Sequence, residues 1–227
     1  MIGVFDSGRG GITAVRELRA LLPREDICFF ADRKNCPYGT KSPDLLTKLV
    51  TKDIEILRSL GCDKILIACC TASTVFPLLP GDLQKNTFPI ILPTARAAAR
   101  VTKNGKIGVI ATEATVASGA FGRELMSLDR VCEVTELATQ NLVSLVERGA
   151  SDGKITDNGR RELYRTLEPL KNKEIDTLIL GCTHFPHLEN EIKKALPEVN
   201  IISSSREGAM EIARGISEGG RGKTVYL

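Results

Sequence analysis

The chain has 227 residues, of which 42% are hydrophobic and 26% charged, as in an ordinary globular protein. Its 31 basic and 28 acidic residues are spread along the sequence, and only 4% of residues are aromatic, a pattern that argues against a nucleic-acid partner. Apolar runs of about five residues are too short to span a bilayer. Residues 1–8 lack the basic and apolar regions of a signal peptide. The odd number of cysteines, seven, fits a reducing cytoplasm.

Short apolar runs alternate with helical periodicity along the chain. This alternation is typical of parallel sheets with helices on both faces, so the predicted class is α/β. The predicted strands lie, in chain order, near 2–5, 27–31, 64–69, 89–92, 106–111, 131–135, 176–181 and 199–202.

Two helices are marked by apolar residues that recur every three or four positions, each stopped by a glycine. The first contains Leu46, Val50, Ile54, Leu57 and Leu60 and stops at Gly61, and the second contains Ala138, Leu142, Leu145 and Val146 and stops at Gly149.

The sequence also repeats itself over about half its length. Ile2-Gly3-Val4-Phe5 returns as 107–110, Ile-Gly-Val-Ile, at the start of each half. We expect two similar α/β lobes with a cleft between them. Pro93 and the alanine-rich stretch after it mark the boundary. Residues 1–92 plus 204–227 would form the N-terminal lobe carrying Cys69, and residues 93–203 the second lobe carrying Cys182.

Cys69 and Cys182 each follow a predicted buried strand, where a helix is about to begin. In open α/β sheets, ligands bind at this end of the strands. A thiol at a helix N-terminus has its thiolate favoured by the helix dipole and the free N–H groups. Hydroxyl residues follow each of the two, whereas Cys28, Cys62 and Cys132 lie in or beside apolar segments and are expected to pack as small hydrophobic residues.

Other polar residues lie near these strand ends. Asp6 and Ser7 follow the first strand, in a glycine-rich loop that fits neither the dinucleotide fingerprint nor the P-loop. They either reach the Cys69 thiol or cap the next helix. His184, two residues after Cys182, can relay its proton. Glu147 ends its helix with a carboxylate that opposes the helix dipole, or pairs with a neighbour.

A metal site built from Cys182, His184 and His187 is the weaker interpretation of this segment. It lacks an accompanying pair of cysteines, and Pro186 disturbs the spacing of the histidines. No metal and no cofactor are expected.

Five motifs, in order over nearly the whole chain, resemble those of the cofactor-independent glutamate racemases. They are Ile2-Gly-Val-Phe-Asp-Ser-Gly8, Pro37-Tyr38-Gly39 before Lys41-Ser42, Cys69 in Ala-Cys-x-Thr-Ala-Ser, Ile107-Gly-Val-Ile-Ala-Thr112 with Thr115, and Leu180-Gly-Cys-Thr-His184. The resemblance implies two pseudosymmetric domains, each a mostly parallel sheet flanked by helices, with the active site in the cleft between them. It also implies a homodimer and D-glutamate production for the cell wall.

The resemblance also implies residue roles. Cys69 and Cys182 would be the two bases that remove and return the α-proton on opposite faces of the substrate. Asp6 would assist Cys69, and His184 and Glu147 would assist Cys182. The substrate's carboxylates and amino group would be held by Ser7, Tyr38, Gly39, Thr71, Thr112, Thr115 and Thr183, with Cys70 beside them.

Several positions depart from the family pattern. Cys70 stands where the family has Asn, Thr139-Gln140 replaces a common Cys-Pro pair, and Ser203-Ser204-Ser205 replaces an expected Asp-Ser. The alternatives to glutamate racemisation are therefore an aspartate or other acidic amino-acid racemase, and a related protein that binds an acidic amino acid without turning it over. A metal-dependent hydrolase is third.

Overall fold

The computed structural model describes residues 1–151, 154–216 and 219–227. Nine strands lie in the described ranges: β1 Ile2–Asp6, β2 Ile27–Ala31, β3 Lys64–Ile67, β4 Thr87–Pro89, β5 Lys106–Ala111, β6 Glu133–Ala138, β7 Thr177–Gly181, β8 Asn200–Ser203 and β9 Thr224–Tyr226. The α-helices described there are α1 Ile12–Leu21, α2 Pro43–Ser59, α3 Cys70–Ser73, α4 Gly81–Gln84, α5 Ile91–Val101, α6 Glu113–Ser118, α7 Ala120–Met126, α8 Gln140–Glu147, α9 Asp157–Lys171, α10 Glu189–Ala195 and α11 Ser204–Ala213.

The strands form two parallel sheets. The first has the order β4-β3-β1-β2-β9 and the second the order β6-β5-β7-β8. Every strand pair is parallel, so helices make the crossovers, and the predicted α/β class with two helix-flanked sheets is confirmed.

The central strands are buried on both faces because helices cover each side of each sheet. Successive side chains of β1 enter different cores: Val4 packs with Leu18 of α1, and Phe5 packs in the cluster that contains Ile54 of α2. In β5, Val109 and Ile110 divide between two clusters in the same way. Because both faces of each sheet are covered, a ligand can reach a sheet only at the ends of its strands.

Two short elements differ from the predictions. The sequence predicts a strand at 89–92, but β4 ends at Pro89 and α5 begins at Ile91. A short apolar run does not distinguish a buried strand from the first turn of a buried helix. The edge strand β9 has three residues and no apolar alternation, so no pattern in the sequence predicts it.

Smaller corrections concern the region around β6 and one cysteine. The strand expected at 131–135 lies at Glu133–Ala138, so Ala138 belongs to the strand and not to the helix that follows it. Cys28 and Cys62 are buried as expected, but Cys132 is exposed at the turn before β6.

The last described segments return to the first sheet. α11 packs against α1, and β9 pairs with β2. The cut proposed between residues 92 and 93 falls inside the first turn of α5, and the division into two lobes stays a prediction. None of the helices in the described ranges combines the length and the apolar composition that crossing a bilayer requires.

We predict that Leu57→Ala lowers the free energy of unfolding by about 2–5 kcal/mol, because it leaves a cavity beneath β1. Leu57 is fully buried on α2 and lies 3.1 Å from the position of a Cβ at Gly3. Leu60, just beyond the same helix, is 46% exposed, so Leu60→Ala is the matched control and should change stability by less than about 0.5 kcal/mol. Equal losses in urea unfolding would contradict this packing.

Candidate active site

Side chains that follow strands of both sheets line one cavity of about 460 Å³. Ser7 follows β1, Thr112 follows β5, and the two thiols follow β3 and β7. The full lining is Ser7, Cys36, Pro37, Tyr38, Gly39, Cys69, Cys70, Thr71, Thr112, Gln140, Val143, Ser144, Glu147, Arg148, Gly181, Cys182, Thr183 and His184. The predicted site residues are thus brought together here, except that Asp6 and Thr115 lie behind the lining.

The Cys69 thiol caps the short helix α3. Its Sγ accepts a hydrogen bond from the Ala72 N–H at 3.5 Å and donates to Ser7 Oγ at 3.6 Å. Burial raises the pKa of Cys69 to about 12, and the negative charge of Asp6 acts in the same direction. The hydrogen bonds from Ala72 and Ser7 oppose this rise without cancelling it. Cys69 is therefore a neutral thiol near pH 7.

Asp6 lies behind the Cys69 side of the cavity and is fully buried. Its Oδ2 accepts from the N–H groups of Gly8 and Gly11, each at 3.1 Å, and its Oδ1 accepts from Thr183 Oγ1 at 3.2 Å. Burial raises the pKa of Asp6, and the charge of His184 lowers it. Asp6 acts on Cys69 through its charge, and its described hydrogen bonds fix the loop after β1 to the segment after β7.

Cys182 begins a short chain of proton-transfer groups. Its Sγ lies 3.5 Å from Nδ1 of His184, and the Nε2 of that ring lies 2.6 Å from Oε1 of Glu147. Burial raises the pKa of Cys182 well above its ordinary value, and the hydrogen bond from the His184 backbone opposes this. Arg148, the next residue, does not pair with Glu147: it donates to Glu162 at 3.1 Å. Glu147 pairs with the imidazole of His184. An imidazole held by a carboxylate in this way can take up and return the thiol proton.

Three threonine hydroxyls join α3 to α6. Thr71 Oγ1 lies 2.9 Å from that of Thr112 and 3.0 Å from that of Thr115, and the last two lie 2.8 Å apart. Thr115 is 1% exposed and sits beneath the other two, so it positions them instead of facing the cavity. Its role in holding the substrate stays a prediction.

Tyr38 and Gly39 come from a short 3₁₀ helix, Tyr38–Thr40, that closes one side of the cavity. The Tyr38 hydroxyl is turned away and lies 2.7 Å from carboxylate oxygens of both Asp32 and Asp53. Only the ring and backbone of Tyr38 are therefore available to a ligand. That Tyr38 helps to hold the substrate stays a prediction, which its ring or backbone would have to fulfil.

Cys70 lies on the lining but is packed mainly in the apolar core. It is 2% exposed and belongs to the cluster that contains Ile90 and Ile179. Burial raises the pKa of Cys70, although a hydrogen bond with Ser204 opposes the rise. Cys70 is therefore a neutral thiol at the position where the family pattern has an amide.

Gln140 was not among the predicted site residues. It is the first residue of α8 and lines the cavity, and its Oε1 is buried without a hydrogen-bond partner among the described residues. That oxygen lies 2.8 Å from where a Cβ on Gly39 would be, so Gln140 reaches across the cavity to the Tyr38–Thr40 turn. Gln140 lies two residues after the end of β6, and ligands bind where such strands end. Its place in the chain could therefore have predicted a role in the site.

The weaker metal hypothesis is not supported by the geometry. His187 lines a separate surface depression with Arg16, Glu17 and Glu189, away from Cys182 and His184. Among residues 1–151, 154–216 and 219–227, no three His, Cys, Asp or Glu side chains are grouped to hold a metal ion.

Comparison with known proteins agrees with this architecture. The family model described as Asp/Glu/Hydantoin racemase matches residues 13–212. The chain is 44% identical over 203 residues to a glutamate racemase of Desulforudis audaxviator, which covers 88% of this chain and 73% of that protein.

Two solved structures are similar over nearly the whole chain. A glutamate racemase isoform from Bacillus anthracis superposes with a TM-score of 0.89 at 37% identity, covering 100% of this chain and 86% of that one. A Francisella tularensis glutamate racemase in complex with D-glutamate gives a TM-score of 0.83 at 28% identity, covering 99% and 86%.

A two-sheet α/β fold with two thiols in one cavity and a family match over most of its length defines the class: the chain belongs to the Asp/Glu/hydantoin racemase family. Its curated relatives are isomerases that act on an amino acid. Within that family, the relatives named above are glutamate racemases, so the resemblance found in the sequence motifs is confirmed.

We predict that Cys69 and Cys182 resist alkylation. Only the thiolate reacts, and burial raises the pKa of Cys69 to about 12 and that of Cys182 well above its usual value. Iodoacetamide at a pH of about 7.5 should therefore modify Cys132, which is exposed outside the cavity, before these two. Peptide mass spectrometry over time gives the order of modification. Modification of Cys69 or Cys182 ahead of Cys132 would contradict the assignment.

Proposed function

We propose that the protein interconverts L- and D-glutamate without a cofactor, using Cys69 and Cys182 as the two proton-transfer groups. The observation that carries the proposal is the meeting of these two thiols in one cavity, each after a central strand of a different sheet. Each thiol also has polar neighbours able to influence its proton, Ser7 and Asp6 for the first and His184 for the second.

The proposed reaction moves one proton on and one proton off the α-carbon. One cysteine, as thiolate, forms an S–H bond with the α-proton while the C–H electron pair stays on the α-carbon and spreads into the α-carboxylate. The opposite thiol then delivers its proton to the other face, which leaves the inverted amino acid and a new thiolate. The two cysteines exchange protonation states, so the reverse reaction uses the same groups in swapped roles.

Burial of the thiols suits this chemistry. The α-proton of an amino acid is a very weak acid, and a thiolate with a raised pKa is a correspondingly stronger base. The cost is that the thiolate must first be formed. The Glu147–His184 pair can accept the Cys182 proton, and the cationic ammonium group of a bound substrate would stabilise either thiolate. We therefore expect deprotonation to accompany substrate binding.

Charge that develops on the α-carboxylate has donors to receive it. The hydroxyl-bearing residues Ser7, Thr71 and Thr112 line the cavity, and preorganised donors stabilise such charge more effectively than water does. The Thr183 hydroxyl donates to Asp6 instead. A cavity with these donors and few aromatic side chains fits a small acidic amino acid. Glutamate is preferred to aspartate because the similar proteins are named glutamate racemases, including one solved with D-glutamate.

We also propose that the product supplies D-glutamate for peptidoglycan, as the resemblance implies, and that the enzyme acts as a homodimer. The competing function is the binding of an acidic amino acid without turnover. It is less well supported because it gives no purpose to the chain from Cys182 to Glu147.

The proposed function predicts exchange of the α-proton with solvent. Incubated with L- or D-glutamate in D2O, the protein should lower optical rotation and introduce deuterium at the α-carbon, followed by polarimetry and NMR. Activity with aspartate alone would show that the protein is an aspartate racemase. Ligand binding with neither deuterium nor loss of rotation would refute racemisation in favour of the binding protein.

We predict that Cys69→Ser and Cys182→Ser each reduce racemisation by at least about a thousandfold, because a hydroxyl is a far poorer proton donor and base than a thiol near neutral pH. Cys132→Ser, at an exposed thiol outside the cavity, is the matched control and should retain wild-type rates. An active serine variant at either cavity position would remove that thiol from the mechanism.

We further predict that Glu147→Gln lowers kcat by about ten- to a hundredfold, because His184 loses the carboxylate that favours its protonated form. Glu168→Gln is the control, since Glu168 is exposed and pairs with Lys171, and neither residue lines the cavity. Steady-state kinetics in both directions measure the effect. Unchanged kcat in Glu147→Gln would exclude the carboxylate from the proton path.

A further inference from the structure

Asp53 is a buried carboxyl group that the proposed reaction does not use. It is 2% exposed and lies on the apolar face of α2, between Val50, Ile54 and Leu57, which are all fully buried. An ionised carboxylate in such surroundings is costly unless it is fully paired. Its presence therefore needs an explanation from its neighbours.

Asp53 meets Asp32 through the hydroxyl of Tyr38. The Tyr38 Oη lies 2.7 Å from Oδ2 of Asp53 and 2.7 Å from Oδ2 of Asp32. A phenol has one proton and can donate only one of these two hydrogen bonds. Burial raises the pKa of Tyr38, so the phenol keeps that proton. The other contact then requires a proton on one of the two carboxyl groups.

The surroundings assign that proton to Asp53. Asp32 accepts from the Asn35 amide on both oxygens, at 3.1 and 2.9 Å, as an ionised carboxylate does. Burial and the charge of Asp32 raise the pKa of Asp53 to about 7, while Tyr38 and Lys52 act in the opposite direction. These are the titratable and charged groups that act on Asp53, from its own helix and from the segment after β2.

We propose that Asp53 is a positioning residue whose neutral carboxyl group donates to Tyr38, which in turn donates to Asp32, and that this chain holds residues 37–39 against the cavity. Pro37, Tyr38 and Gly39 all line that cavity. When Asp53 ionises, two carboxylates face one hydroxyl proton, and the segment loses one of its fixed contacts. Substrate binding then weakens, while the thiols that carry out the proton transfer are unaffected.

The inference rests on the proposed function for its kinetic test, which compares KM and kcat for glutamate from about pH 5.5 to about pH 9, on both sides of the Asp53 pKa. Wild-type KM should rise about fivefold as pH passes about 7, the loss expected for one hydrogen bond. In Asp53→Asn the amide N–H replaces the acid proton and does not titrate. The KM of this variant should therefore lack the rise that wild type shows as pH passes about 7. Asp53→Leu should show the raised KM at every pH, with kcat changed less than KM.

Glu55→Gln is the matched control, because Glu55 is exposed on the same helix, two residues away, and should reproduce the wild-type pH profile. A rise of KM in Asp53→Asn equal to that of wild type overturns the proposal. If Asp53→Leu does not fold, the comparison of Asp53→Asn with wild type alone decides.

A second readout does not depend on activity. In protein labelled with ¹³C at aspartate carboxyl carbons, the signal absent from Asp53→Asn should titrate at a pH of about 7. A signal already at the ionised position at a pH of about 5.5 overturns the inference. Should wild type fail to racemise any acidic amino acid, the proposed function falls, and this titration still decides whether Asp53 carries the proton.

Discussion

The site depends on one buried carboxylate, Asp6, which joins the ends of two strands from different sheets. It accepts hydrogen bonds from backbone N–H groups after β1 and from the Thr183 hydroxyl after β7. A charge with no exposure to solvent is stable only with such partners. Since the partners lie on both sides, the carboxylate fixes how the two strand ends approach each other.

The same approach explains the two glycines at positions 10 and 11. A Cβ at Gly10 would lie 2.4 Å from Thr183 Oγ1 and 2.9 Å from His184 Nδ1, and one at Gly11 would lie 2.4 Å from the Cβ of Asp6. Close packing therefore accounts for the glycine-rich loop without any phosphate ligand. Its spacing in the sequence argues against nucleotide motifs, but only the structure shows what the glycines do.

Features that depend on strand periodicity were predictable from the sequence. Buried strands succeeded by helices, and a repeat of the first strand at residues 107–110, were enough to predict the α/β class and to bring Cys69 and Cys182 to strand ends. Motif resemblance supplied residues such as Glu147, whose local signal was weak. Its place in the cavity arises because α8 ends beside His184, a tertiary contact that no local pattern encodes.

Residues that depend on side-chain direction were harder to predict. Tyr38 belongs to a recognisable motif, yet its hydroxyl points to Asp32 and Asp53, and the second of these looks in sequence like an ordinary polar residue of an amphipathic helix. Gln140 had no assigned role, because the unpaired state of its amide oxygen exists only once α8 lies opposite Gly39. Such contacts are long-range, so periodicity carries no information about them.

The departures from the family pattern fall in different parts of the cavity lining. At Cys70 an amide is replaced by a thiol that packs with Ile90 and Ile179 and adds little hydrogen bonding. At Gln140 an amide is gained, and its oxygen has no hydrogen-bond partner in the part of the chain that the structure describes. Because a buried unpaired polar atom is costly, we expect the bound substrate to satisfy it. Substrate discrimination would then depend more on the Gly39 side of the cavity than on the residue beside Cys69.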